Sequence, residues 1–140
     1  MGNMRQVAAV VLMLAAGCST TQVATNSGAA KAATMIADRA LTTPRDGAAR
    51  LIVTRDTGFA GGGCLFEVLA NGKLAAELRP GEQVSLYVDP GECIVGVQLK
   101  GSLCPKENAE IAVQSTAGAT KNIRAGVTQS LTLRLQQTAF

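Results

Sequence analysis

The sequence predicts an all-β domain, a small antiparallel sandwich or barrel, over residues 49–140. Three observations carry this. From residue 49 onward, apolar and polar side chains alternate with period two in short runs, the pattern of half-buried strands. Turn dipeptides (Asn71-Gly72, Pro80-Gly81, Pro90-Gly91) recur at short intervals between those runs. The connections are also too short to hold crossover helices, which leaves antiparallel returns as the simplest topology.

The first 17 residues stand apart from that domain. Arg5 is the only charged side chain before Lys31, and Val7 to Ala16 contains no polar side chain. This run falls well short of the ~20 apolar residues that span a bilayer and fits the apolar core of an export signal. It ends in Leu14-Ala15-Ala16-Gly17-Cys18, which resembles the lipobox of bacterial lipoproteins, with Ala15 where Leu is commonest. The resemblance implies cleavage before Cys18 and a diacylglycerol and palmitate anchor on its sulfur and new N-terminus. Each methylene buried in the bilayer adds about 0.8 kcal/mol. Ser19, a non-Asp residue after the cysteine, implies sorting to the outer membrane, with the domain facing the periplasm. The other reading is an ordinary cleaved signal with an incidental cysteine.

Removal of residues 1–17 leaves enough chain for one domain with its own core. The formal charge of +3 is too small, and too dispersed, for nucleic-acid binding. The chain has no Trp and few other aromatics, so a stacking platform for sugars or bases is not expected. It also has no His. That removes the commonest general base and the commonest metal ligand, and with them any Ser–His or Cys–His pair.

Residues 19–28 are small and polar and read as a tether. Ala29 to Leu41 is Ala-rich with apolar positions near one face, which predicts a helix, at least in part, capped by Ser27 and ended by Thr42-Thr43-Pro44. Residues 18–48 thus form a lipidated tether and a helix, with Pro44 to Ala48 as a second linker. Strands follow at Arg50–Arg55, Cys64–Ala70, Lys73–Leu78, Gln83–Val88 and Cys93–Lys100. Asn71-Gly72 between the second and third is a type I′ hairpin signal, since both residues tolerate positive φ. Val84, Leu86 and Val88 share one face of their strand, and Cys93, Val95, Val97 and Leu99 share one face of theirs. Further strands are expected at Ala109–Ser115, Thr120–Arg124 and Val127–Gln136. Ala125-Gly126 would be the last turn, with Leu131, Leu133 and Leu135 facing inward.

Taken together, Leu51-Ile52-Val53-Thr54-Arg55, Gly58-Phe59, Val68-Leu69-Ala70-Asn71-Gly72-Lys73, Leu86-Tyr87-Val88-Asp89-Pro90-Gly91-Glu92 and Arg124-Ala125-Gly126 resemble a family of short bacterial lipoproteins. That family carries a β-sandwich domain of unknown function. Their order is also similar to PEGA-type surface modules. The resemblance covers about Ala49 to Leu135 and implies a lipoprotein sandwich with no known activity. Cys93 stands where that family tends to have His, so no role of that histidine carries over.

Three cysteines remain beside Cys18, in a compartment where disulfides persist. Three pairings are open. The strand from Cys93 to Lys100 advances about 23 Å, and the next four residues can return only about 13 Å, which disfavours Cys93–Cys104. Cys64 opens its strand, and Cys104 lies beyond the end of an antiparallel one, so Cys64–Cys104 is the expected bond. Cys93 is left as a buried thiol. The spacing of the three does not match a zinc site, and no metal or cofactor is expected.

The remaining candidates read more simply as structure. Asp89 and Glu92 flank a turn, Ser85 and Ser102 lack a base, and Gly61-Gly62-Gly63 lacks the Lys-Ser/Thr of a phosphate loop. Phe59, in a glycine-rich loop, is either a plug for one end of the sandwich or an exposed contact. Phe140 ends the chain after a polar run, as a tuck onto the domain or a short tail. The expected function is therefore non-enzymatic: an envelope structural or protein-interaction module. A binding module for a small ligand or cell-wall material, with a pocket near Phe59, Phe66 or Tyr87, is the other reading.

Overall fold

The computed structural model describes residues 30–58 and 62–139. Cys18, Ser27, Phe59, Gly61 and Phe140 lie outside the described residues. Ten strands, β1 (Lys31–Ala32), β2 (Met35–Ile36), β3 (Ala49–Arg55), β4 (Leu65–Ala70), β5 (Lys73–Leu78), β6 (Glu82–Val88), β7 (Gly91–Lys100), β8 (Asn108–Ser115), β9 (Thr120–Val127) and β10 (Leu133–Thr138), and one short helix, α1 (Arg39–Thr42), make up the fold. The strands form two five-stranded sheets, in the orders β1-β6-β3-β9-β10 and β2-β5-β4-β7-β8. The sheets pack face to face as a sandwich, as the alternation predicts.

Alternation fixes which side chains meet. Leu51 and Val53 of β3, Val84 and Leu86 of β6 and Ile123 of β9 face Phe66 and Val68 of β4 and Val95 and Val97 of β7 in one buried cluster. A side chain of this kind contributes roughly 1.5–3 kcal/mol when fully buried, and a one-residue slip would turn the whole set to solvent. The Asn71-Gly72 tip adopts the positive φ values (48° and 80°) of the expected hairpin, and β5 pairs back on β4.

Three expectations are corrected. The helix expected over Ala29 to Leu41 is replaced by β1, β2 and α1. An isolated helix of this length is marginal, whereas the edges of β6 and β5 offer this segment backbone partners: Lys31 N–H donates to Gly81 O (3.0 Å), Ala33 N–H to Gln83 O (2.8 Å) and Ala37 N–H to Ala75 O (2.9 Å). Only the last turn is helical. It is capped by Asp38, and Thr43 is extended ahead of Pro44. Second, the sandwich is mixed: β1 runs parallel to β6, and β3 runs parallel to β9. Third, Ala125-Gly126 is not a turn. Both residues continue β9, where Ala125 pairs with Arg55 and with Leu135. The reversal falls at residues 128–132, closed by Thr128 N–H to Thr132 O (2.9 Å) and Leu131 N–H to Thr128 O (2.9 Å). Leu131 is consequently at this tip and exposed, while Leu133 is buried and Leu135 half-buried.

The sandwich has two distinct ends. Ala30 leads into β1 at the proximal end, beside the loops at 79–81, 101–107 and 128–132. The loops at 43–48, 71–72, 89–90 and 116–119 form the distal end. On one long side, β1 and β2 cover the edges of β6 and β5. On the other, β8 and β10 are edge strands among the described residues.

Candidate functional site

The proximal end is built around charges that sequence reasoning missed. Period two turns Arg55 inward after Leu51 and Val53, and it is 2% exposed. Its Nη1 donates to Cys64 O (2.6 Å) and Leu78 O (2.7 Å), and the guanidinium lies 3.8 Å from the Phe66 ring centroid. Burial pushes its pKa down to about 10, opposed by the nearby Glu82 carboxylate. Glu82 in turn accepts from Arg79 N–H (2.8 Å) and from the Thr34 hydroxyl (3.3 Å). On the outer face of the same sheet, Asp56 and Arg124 form a buried two-pronged ion pair at 3.2 and 2.7 Å. The alternation Leu51, Val53, Arg55 was the signal available for Arg55. Asp56–Arg124 left none, because it depends on the non-local β3–β9 register.

The expected Cys64–Cys104 disulfide is formed, with Cα atoms 5.8 Å apart. It ties the loop at 101–107 to the start of β4. Phe66, considered as a pocket wall, is a core residue under Arg55. Tyr87 lies half-buried on the outer face of its sheet. Ser85 accepts from the Arg50 guanidinium at 2.9 and 3.1 Å.

The distal end carries a cleft of about 300 Å³, lined among others by Leu41, Arg45, Asn71, Asp89, Glu92 and Cys93. Its walls are held locally. Asp38 caps α1 through Ala40 N–H (2.8 Å) and Leu41 N–H (3.3 Å). The hydrogen-bonded Lys73 ammonium, 2.6 Å away, is the main cause holding the Asp38 carboxyl below its usual range. Arg45 pairs with Asp89 at 2.8 Å in solvent. Asn71 locks the hairpin tip to β7, donating its N–H to Ile94 O and accepting from Ile94 N–H, both at 2.8 Å. Cys93 is buried and unpaired. Desolvation pushes its thiol up, partly offset by a hydrogen bond from the Asn71 backbone, so it behaves as a small apolar side chain.

Asp89 and Glu92 flank the turn as expected and form no carboxylate pair with each other. Asp89 holds Arg45, and Glu92 accepts from Gln114 (3.0 Å). Gly62 and Gly63 lie in a turn. Among the described residues, no group of three His, Cys, Asp or Glu side chains is placed to hold a metal ion, and no helix is long and apolar enough to cross a membrane. No protein-family model matches the chain, and no curated protein matches it.

Proposed function

We propose that this chain is a bacterial envelope lipoprotein, anchored by acyl chains on Cys18 in the outer membrane and facing the periplasm. In this reading it works without catalysis, as a structural or protein-interaction module. The observation that carries the reading is the run from Arg5 through Val7–Ala16 to Leu14-Ala15-Ala16-Gly17-Cys18.

The use of ionisable groups supports a non-catalytic role. Asp56 is bound to Arg124, Asp38 to Lys73, and Glu67 and Glu77 to Lys100, so these carboxylates hold the fold together. The protein partner is expected to be another envelope protein. The side bearing β8 and β10 suits it, because edge strands present unpaired backbone groups for strand addition. The sequence Leu133-Arg134-Leu135-Gln136-Gln137-Thr138 carries neither the Lys nor the Pro that commonly guard an edge.

Mass spectrometry of the mature N-terminus tests the anchor. A chain starting at Cys18 with acyl mass is expected, and Cys18→Ser should accumulate as an unprocessed, unacylated precursor. A mature N-terminus elsewhere would overturn the reading. A second reading, binding of a small ligand or cell-wall fragment, draws on the distal cleft. Ligand-induced perturbation at Asn71 and Glu92, lost on narrowing the cleft with Leu41→Trp, would favour it.

A further inference from the structure

We propose that the proximal end of the sandwich is a membrane-contact face that lies against the negatively charged lipid surface. The inference rests on the Cys18 anchor and names what that anchor brings into contact.

Three independent observations converge on this end. Leu103 is 97% exposed at the tip of a loop that is pinned in place. Cys104 is bonded to Cys64, Cys104 N–H donates to Gly101 O (3.2 Å), and Leu99 N–H donates to Glu107 O (3.0 Å). An apolar tip held out on a clamped loop buries nothing in the domain. In a bilayer interface, one leucine raises partition by roughly ten- to a hundredfold. Leu131 is the second observation. It is exposed at the 128–132 tip with φ of 61°, a conformation that disfavours a leucine and suits Gly or Asn. Backbone preference does not account for leucine there.

The third observation is charge. Lys31, Arg79, Lys106 and Arg134 are exposed at this end. The carboxylates there are withdrawn: Asp56 is buried against Arg124, Glu82 is buried on Arg79 N–H and Thr34, and Glu107 is half-buried. Lys100 is neutralised by Glu67 and Glu77. The distal rim is mixed, with Asp46, Asp89 and Glu92 exposed beside Arg39, Arg45 and Lys73. Each cation near an anionic lipid surface raises partition by roughly fivefold.

The way the chain enters the domain places the proximal end nearest the anchor. Ala30 meets β1 at the proximal end, and Lys31 is bonded to Gly81 there. The stretch from Cys18 to Ala30 can span at most about 40 Å. An acylated Cys18 therefore holds Leu103, Leu131 and the four cations within reach of the bilayer.

The chain contains no Trp, so L103W supplies a single reporter. The full acylated chain carrying L103W is reconstituted in vesicles of phosphatidylethanolamine and phosphatidylglycerol with brominated acyl chains. Its emission is expected to shift to the blue and to be largely quenched, while A117W at the distal end stays solvent-like. K31Q/R79Q/K106Q in the L103W background should lose most of that quenching and remain with the vesicles. Flotation with the vesicles without quenching of L103W overturns the contact face and leaves the anchor standing. Absence of acyl mass on Cys18 removes the anchor. Quenching of L103W in the unacylated chain at high lipid then decides the contact face alone: a quenched indole keeps it, and an unquenched one overturns it.

Discussion

Arg55 offers the sharpest test of what holds the proximal end together. Arg55→Met keeps most of the buried stem and removes the charge. Three contributions set the outcome. Two hydrogen bonds from a charged donor to Cys64 O and Leu78 O are lost, at about 1.5–3 kcal/mol each. The contact with Phe66 at 3.8 Å adds about 1–2 kcal/mol for a desolvated cation on a ring face. Against these stands relief of the burial cost that pushes the Arg55 pKa down to about 10, about 3 kcal/mol at 1.36 kcal/mol for each tenfold. The balance is a net destabilisation of about 3 kcal/mol, because the two carbonyls remain buried after their donor is gone. Urea unfolding of the full chain should show the midpoint falling by about 1–2 M with little change in slope. Arg55→Lys should lie between the two, since an ammonium cannot stack on Phe66 while reaching both carbonyls. A methionine variant within about 0.5 kcal/mol of the parent would refute the reasoning. It would mean that the guanidinium only compensates for its own burial.

Four further outcomes are expected. Cys64→Ser/Cys104→Ser releases a closure of 40 residues and should cost about 4 kcal/mol in equilibrium unfolding by chain entropy; a loss under about 1 kcal/mol would show that the unfolded chain is restrained by other means. Asp56→Ala strands a buried Arg124 and should cost about 3–5 kcal/mol, whereas Asp56→Ala/Arg124→Leu should recover part of it; additive losses would sink that account. The unfolded Cys93 thiol ionises from about pH 9.0, and burial keeps the folded thiol protonated to higher pH, so stability should be flat below that value and fall above it. Cys93→Ala should remove this slope; above about pH 10 the lowered Arg55 pKa and the raised Lys100 pKa then act in opposite directions. Leu131→Asn should stabilise the fold by about 1 kcal/mol through relief at positive φ, measured by thermal unfolding, and a destabilised variant would mean that Leu131 packs usefully.

The parts of this fold that were legible in the sequence are those that local chemistry determines. Asn71-Gly72 adopts positive φ because both residues tolerate it, and that tip fixes where β4 ends and β5 begins. Val84, Leu86 and Val88 could be assigned to the core because a pleated strand has only two faces. The disulfide followed from the same strand geometry, since the rise from Cys93 to Lys100 carries Cys104 away from Cys93. What was not legible depends on partners distant in the chain. Ala125-Gly126 has the composition of a turn, yet β10 pairs with both residues and β3 with Ala125, and tertiary pairing overrides composition. The Ala-rich segment met the same competition at the edges of β6 and β5 and became two short strands. Asp56 and Arg124 are 68 residues apart, and only the parallel β3–β9 register makes them partners.

The failure at the Ala-rich segment bears on the candidate membrane face. Had residues 29–41 formed a free helix, the anchor would have led into a spacer, and the domain could have met the bilayer in any orientation. Because Lys31 and Ala32 instead pair with Glu82 and Gln83, the chain is fixed to the proximal end before β3 begins. The segment that closes the sandwich edge thus also sets which loops the anchor holds near the lipid. Pairing at β1 and contact through Leu103 are therefore coupled. Ala32→Pro keeps the Lys31–Gly81 bond, because the Ala32 N–H points away from β6, while Ala33→Pro deletes the donor to Gln83 O. Ala33→Pro should loosen β1 at a cost of about 1 kcal/mol and weaken quenching of L103W in the anchored chain. Undiminished quenching with β1 released, read by hydrogen exchange at Lys31 and Gln83, would show that the loops find the membrane without help from the edge strand.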